Sequence, residues 1–213
     1  MVTRTSAVEV PRAVDPRTVR TRSAIIDAIE RLDREGSALS VAAIAASAGI
    51  SRTSFYAQFR DLGDVAVRLM RERYEEILRI DAELRAGGAA AEPTRETLSL
   101  LLDEFERHQT LYAAVLGSAG SSDAYRNLQG ILTEGALETM RRVAPQGIDP
   151  EVAARFIAAG ILATVIDALF SDNPPAPAEL RGQIIDLLPV WVTTDSVVGA
   201  HTEPTNPSSP PRE

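Results

Sequence analysis

The sequence predicts an all-α fold, and three observations carry that prediction. Apolar residues recur at helical spacing through most of the chain. No segment sustains a period of two with β-branched enrichment. Helix start and stop residues punctuate the periodic stretches. The 213 residues can bury a core, as one large domain or as a small domain beside a larger one. The hydrophobic share of 45% and charged share of 24% are ordinary for a globular protein.

Residues 1–16 and 199–213 are rich in Pro, Ser, Thr and charge without periodicity, and read as disordered tails. Thr18–Glu35 carries Ile25, Ile29 and Leu32 on one face with Ala28 beside them, and Gly36 is placed to end it as a left-handed cap. Ser40 suits the N-cap of Val41–Ala48, Gly49 supplies a turn, and Ser51 caps Arg52–Phe59. Asp61 or Asp64 opens a long helix to about Arg85, stopped by Gly87-Gly88. Thr94–His108 turns Leu98, Leu101, Leu102 and Phe105 inward, and Gln109–Leu116 follows, broken by Gly117 and Gly120. Ser122 or Asp123 begins a helix to about Val143, ended by Pro145 and Gly147. Asp149-Pro150-Glu151 joins an N-cap to a Pro at the first helical position and opens a helix to about Asp172. Asn173-Pro174-Pro175 breaks it, and a last helix covers Ala178–Val192. The count is about nine helices, with no internal repeat.

Composition removes several function classes. The absence of Cys excludes disulfides and thiolate metal sites. The N-terminal residues hold scattered Arg but no apolar run, unlike a secretory signal. The longest apolar stretch, Ala158–Phe170, contains Asp167 and falls short of the roughly 20 residues that span a bilayer. A cytoplasmic protein without a membrane partner is therefore expected. The net charge of −8 is unevenly spread: residues 1–60 hold nine Arg against six carboxylates, and the rest thirteen against twenty-four. A mildly basic head on an acidic body lets only the head approach a polyanion. All 22 basic residues are Arg, which reads as genome composition bias.

Residues 40–59 carry the most specific chemistry. Two short helices joined at Gly49 form the arrangement that DNA recognition requires, a bracing helix, a tight turn and a short second helix entering the major groove end-on. Ile44, Ala45 and Ala48 give the first helix a slim apolar face. Ile50, Phe55 and Phe59 lie inward on the second, which leaves Arg52, Thr53, Ser54, Tyr56 and Gln58 outward or at the rim. Arg reads guanine bidentately, Gln pairs with adenine, and Ser or Thr reaches bases or phosphates. On periodicity alone, a generic pair of core helices with a polar rim fits as well.

The residues Thr21-Arg22, Ile25, Ala28, Gly36, Ser40, Ile44-Ala45, Ala48 to Arg52, Phe55-Tyr56 and Phe59 resemble, in matching register, the N-terminal domain of the tetracycline-repressor (TetR) family of transcriptional regulators. The resemblance covers Val19–Arg79 and implies a DNA-binding domain over 19–79, with the helix-turn-helix at 40–59, and a ligand-binding and dimerisation domain over 80–195. It implies that Arg22 and Ser40 touch phosphates, that Ser51 belongs to the DNA-binding set, and that Arg52 and Thr53 read bases with Ser54 nearby. Tyr56 would bond a phosphate through its hydroxyl. Two positions depart from the family: Gln58 stands where His is usual, and Leu62 where a phosphate-binding Lys is common. Losing that Lys removes about one counterion's worth of salt dependence. Arg60 is the candidate substitute.

In the body, the helix at 151–172 carries apolar residues over more width than one core face needs, with small residues between them. The resemblance implies a four-helix homodimer interface, with Phe156, Ile161, Val165, Leu169, Ile184, Leu188 and Trp191 as its residues. A two-fold dimer implies a palindromic double-stranded operator. The family also implies a small-molecule effector inside the body, and His108, Gln109, Tyr112, Tyr125 and Met140, with Arg126, are the candidate contacts. For each of these alone, a surface or satisfied core position is the commoner role. Glu104 and His108 stand four apart on one helix, which permits a metal pair, but no third ligand is near in sequence, so the pair reads as a solvated face and no metal is expected.

The expected function is a repressor released from its operator by the effector, without cofactor or catalysis. A helical-bundle enzyme is disfavoured by two His, no Cys, no Gly-rich phosphate loop and no zinc-protease helix motif. A third class, an adaptor or ligand-binding protein that keeps the helix-turn-helix without binding DNA, has Leu62 as its one support.

Overall fold

Asp15 opens the first helix: its carboxylate accepts the backbone N–H of Arg17 at 2.9 Å, and Pro16 takes the first helical position, where no N–H is needed. The computed structural model describes residues 15–87, 93–117 and 121–193. Among them the chain forms ten helices and no strand: α1 Pro16–Arg34, α2 Val41–Ala48, α3 Arg52–Tyr56, α4 Leu62–Ala86, α5 Pro93–Arg107, α6 Gln109–Leu116, α7 Ser121–Val143, α8 Pro150–Phe170, α9 Pro177–Leu187 and α10 Val190–Thr193. The expected tail at 1–16 thus loses Asp15 and Pro16 to α1. Its remainder, the tail at 199–213, Gly88 and Gly120 lie outside the described residues.

The caps expected from sequence do their work. Ser40 accepts from Ala43 N–H at 3.1 Å, Asp61 from Asp64 N–H at 2.8 Å, and Asp149 from Glu151 N–H at 2.8 Å. Gly49 ends α2 at φ 66, a left-handed turn that a Cβ would disfavour.

Two elements differ from expectation. The third helix ends at Tyr56 rather than Phe59, because the Gln58 N–H turns back to Phe55 O at 2.8 Å and tightens the last turn. The last helix splits at Pro189, which has no N–H to continue the ladder, so Leu188 turns extended and α10 begins afresh. That break makes ten helices where about nine were expected.

α1 to α3 form a head whose core is Ile25, Ala28, Ile29, Ile44, Phe55 and Phe59, all 2% exposed or less. Val65, Ala66 and Met70 on the first turns of α4 are fully buried and extend that core into the body. α4 runs unbroken across the domain boundary expected between 79 and 80, so head and body share a helix. In the body, α4 packs on α5 and α7, and α7 makes its most extensive packing with α8.

α8 is 21 residues, longer than the apolar run counted from sequence, and by length and composition it could cross a membrane. In this fold one face, including Ala154, Ala158, Leu162 and Val165, is buried. Val152, Phe156, Gly160 and Ala163 lie open on another.

Candidate nucleic-acid interface

α3 is short and sharply aimed. Ser51 caps it, its hydroxyl accepting the N–H of Ser54 at 3.0 Å and lying 2.9 Å from the Ser54 hydroxyl. Phe55 anchors the helix with no exposure, held edge-on to Tyr56 at 5.6 Å and tilted against Phe59 at 5.9 Å. This anchoring turns the other side outward: Arg52, Thr53 and Tyr56 are exposed, Tyr56 at 56% despite its bulk. α1 braces the unit from behind, where Arg31 Nη2 donates to Ser47 O at 2.7 Å at the C-terminal end of α2. Ser51 and Ser54 lean on each other. Gln58 is half-buried in the turn after α3, and Ser40 is exposed at the start of α2.

Arg22 is placed differently from a free phosphate contact. It is half-buried and pairs with Glu72 on α4 at 3.6 Å, and Glu72 also takes Arg68 at 3.3 Å. Leu62 sits half-buried at the first position of α4, while Arg60 is 79% exposed beside Asp64 at 3.8 Å. A cleft of about 500 Å³ opens behind this corner, bordered by Val41, Arg60, Leu62, Val115 and Asn127.

The five effector candidates do not converge on one cavity. Met140 lines an apolar void of about 80 Å³ within the body, with Tyr74, Thr97, Leu101, Ile157 and Ile161 on its walls. Gln109 borders a separate cavity of about 240 Å³ between α5, α8 and α9. Tyr125 is half-buried on α7 and lines none of these spaces, and Arg126 is exposed and paired with Asp123. His108 and Tyr112 are buried where α1, α4, α5 and α6 meet.

Glu104, 4% exposed, joins His108 there at 3.5 Å, so the pair read from sequence as a solvated face lies in the interior. Burial pushes the Glu104 carboxyl up to about 7, with Arg107 and Arg73 opposing, and lowers His108 against the pull of Glu30 and Asp33. Burial raises the Tyr112 phenol well above its ordinary value. Among the described residues no group of three metal-ligating side chains assembles.

The dimer candidates divide. Ile161, Val165 and Ile184 are buried inside the monomer, Leu169, Leu188 and Trp191 are half-buried, and Phe156 alone among the seven is exposed, at 77%. Phe156 and Ile161 are five residues apart, about 140° around a helix, yet both border one apolar groove between α8 and α9 with Ile184, Leu187 and Leu188. The open apolar surface is carried by Val152, Phe156 and Phe170 on α8, Leu187 at the end of α9, and Val190, each at least half exposed. Sequence reasoning missed Val190. The preceding Pro189, which ends the helical run before α10, was the signal.

Sequence reasoning also missed a buried ionic group. Asp81, 3% exposed on α4, takes Arg85 at 2.8 Å and Arg142 of α7 at 2.9 Å.

No family model and no curated protein sequence matches this chain. Solved structures share its fold. One is a protein assigned to the TetR family of transcriptional regulators from Mesorhizobium loti, with 19% identity, a TM-score of 0.55, and 84% of this chain and 96% of that one covered. Another, from Syntrophomonas wolfei and assigned to the same family, has 18% identity and a TM-score of 0.54 over 79% and 92% of the two chains. A third, the dihydroxyacetone kinase operon activator DhaS, has 19% identity and a TM-score of 0.53 over 79% and 94%. All three are similar along nearly their whole length.

Proposed function

We propose that this chain is a TetR-family transcriptional regulator, a homodimeric repressor that reads a palindromic operator and releases it when a small molecule enters the body. The observation that carries the reading is the exposed Arg52-Thr53 end of α3, set out from a Gly49 turn on a buried Phe55 anchor. Arg52 and Thr53 are the base readers in this reading, and Tyr56 and Ser40 bind phosphates. Ser51 acts through its cap on Ser54, and Gln58 contributes less, being half-buried. Arg22 reaches DNA only by leaving Glu72, so its contact would be coupled to the position of α4.

Two copies meet in this reading through the open faces of α8 and α9, which presents two α3 helices to successive turns of the groove. The effector enters the body void. At about 80 Å³ that void is well below the roughly 300 Å³ of a typical ligand site, so binding would widen it and favour a body with α4 displaced. Coupling through α4 is direct, because the same helix lines the void with Tyr74 and supports the head with Val65 and Met70.

The test is selection of duplexes from a random library by the full chain, followed by a gel-shift titration. Enrichment of a palindrome, with Arg52→Ala weakening it by about 1–3 kcal/mol, is expected. Unchanged binding by that variant would sink the assignment. A body that binds a ligand without DNA is the competing reading, favoured by Leu62 and by the Arg22–Glu72 pair; failure to enrich any duplex at low salt would select it.

A further inference from the structure

At the joint between head and body, α1, α4, α5 and α6 bury polar groups that the reading above leaves without a role. Glu104 Oε1 lies 3.5 Å from His108 Nε2, both side chains almost wholly enclosed. Around them, Asp33 Oδ2 of α1, Arg73 Nε of α4, His108 Nδ1 and the Tyr112 hydroxyl of α6 are buried without a hydrogen-bond partner. Buried polar atoms are nearly always paired, so four orphans at one joint mark a network with a second arrangement available. The joint is also mechanical: Asp33 Oδ1 accepts the backbone N–H of Thr110 at 3.0 Å, tying α1 to the first turn of α6.

The charged groups facing the pair are Glu30 and Asp33 from α1, Arg73 and Glu76 from α4, and Arg107 from α5, with the Tyr112 phenol from α6. From α9, Arg181 is occupied by Asp103 and Glu106. Burial raises the carboxyl to about 7 and lowers the imidazole, so near neutral pH the carboxyl is the group whose charge changes.

We propose that Glu104 and His108 form a proton-operated latch between the DNA-reading head and the body. Its effect on DNA rests on the regulator reading given above. With its proton, Glu104 donates to His108 Nε2, and Arg73 stays on Glu76, its Nη1 at 2.6 Å from Oε2. When the proton leaves for solvent, the buried carboxylate requires a cation. Arg73 is the candidate on α4, with its Nε unpartnered, and it exchanges Glu76 for Glu104. α4 carries both Arg73 and the Val65–Met70 segment beneath the head, so this exchange shifts the helix on which α2 and α3 ride.

The test follows the Thr110 amide in the full chain by hydrogen exchange, corrected for intrinsic rates, from about pH 5.5 to about pH 8.5. A several-fold change in protection with a midpoint near 7 is expected, and a flat profile in Glu104→Gln. A flat wild type, or the same transition in Glu104→Gln, overturns the latch. Should that variant not fold, carbon-13 titration of the wild-type Glu104 carboxyl decides, and a midpoint below about 5 overturns it. For a duplex selected by the chain, affinity is expected to differ several-fold between about pH 6 and about pH 8 in the wild type and not in Glu104→Gln. If no duplex binds at any pH, the regulator reading falls, while the amide titration still decides the latch.

Discussion

The Tyr74 ring fills the space beside Gly135: a Cβ on residue 135 would stand 1.7 Å from Tyr74 Cε1. α4 and α7 approach each other through this missing side chain, and the same ring forms a wall of the body void. In an exposed helix, Gly→Ala stabilises by about 1 kcal/mol. Here the ring must move, and overpacking of this kind costs about 1–3 kcal/mol or more. Gly135→Ala is therefore expected to destabilise by about 2 kcal/mol in urea denaturation. Tyr74→Leu in the same chain should recover part of the loss, a coupling that a double-mutant cycle reads directly. A stabilised Gly135→Ala would refute the close approach.

The open apolar face makes a second prediction. Phe156 and Leu187 are 77% and 80% exposed, and burying a side chain of this size contributes roughly 1.5–3 kcal/mol. Phe156→Asp and Leu187→Asp should each turn a dimer into a monomer by sedimentation, with little change in helical circular dichroism. Ile161→Ala, at a position buried within the monomer, should instead lower the melting temperature. A monomeric wild type would remove the interface from the proposal.

That division shows how far the sequence could be read. Helix bounds and caps were legible, because Ser40, Asp61, Asp149 and Gly49 act on neighbours within a few residues. The exposed rim of α3 was legible for the same reason, since Phe55 and Phe59 fix its inner side. What needed three dimensions was partnership between distant helices. Asp81 looks like a solvated acid until Arg142 arrives from 61 residues away, and His108 like a surface residue until α1 closes over it. On α8 the apolar residues surround much of the helix, so no sequence period separates the core face from the open one. Arg22 is the converse case, where motif register suggested a phosphate and the fold supplied Glu72.

Glu104 gives a stability prediction with a definite sign. Its carboxyl moves from 4.5 to about 7 on folding, so the folded state holds its proton more tightly. Between those two values the native chain binds more protons than the unfolded chain, and stability falls as pH rises. The loss is complete above about 7 and amounts to about 3 kcal/mol at most. His108 acts in the opposite direction: its lowered value makes the folded state lose stability as pH drops through 6.5. The difference in unfolding free energy between Glu104→Gln and wild type isolates the carboxyl. It should grow in favour of the variant from about pH 5 to about pH 7.5; a constant difference would contradict the buried ionisation.

Asp81 holds α4 to α7 by accepting from two arginines, and the order of their burial sets the order of the losses. Its own side chain is 4% exposed, that of Arg85 16% and that of Arg142 41%. Removing the carboxylate leaves two like charges facing each other, and breaking a buried pair this way costs about 3–5 kcal/mol when the orphaned charge cannot escape. Arg142 can swing into water and Arg85 is less free, so Asp81→Ala is expected near the lower end, about 3 kcal/mol. Arg142→Ala should cost about 1 kcal/mol, because Asp81 keeps Arg85. Arg85→Ala should fall between them, losing its bond to Asp81 and its 3.4 Å contact with Thr94 at the start of α5. The ranking is read from urea midpoints, and it should persist in about 0.5 M salt, since buried pairs are screened far less than exposed ones. Equal losses for all three variants would mean that Asp81 is open to solvent and the α4–α7 contact rests on its apolar residues alone.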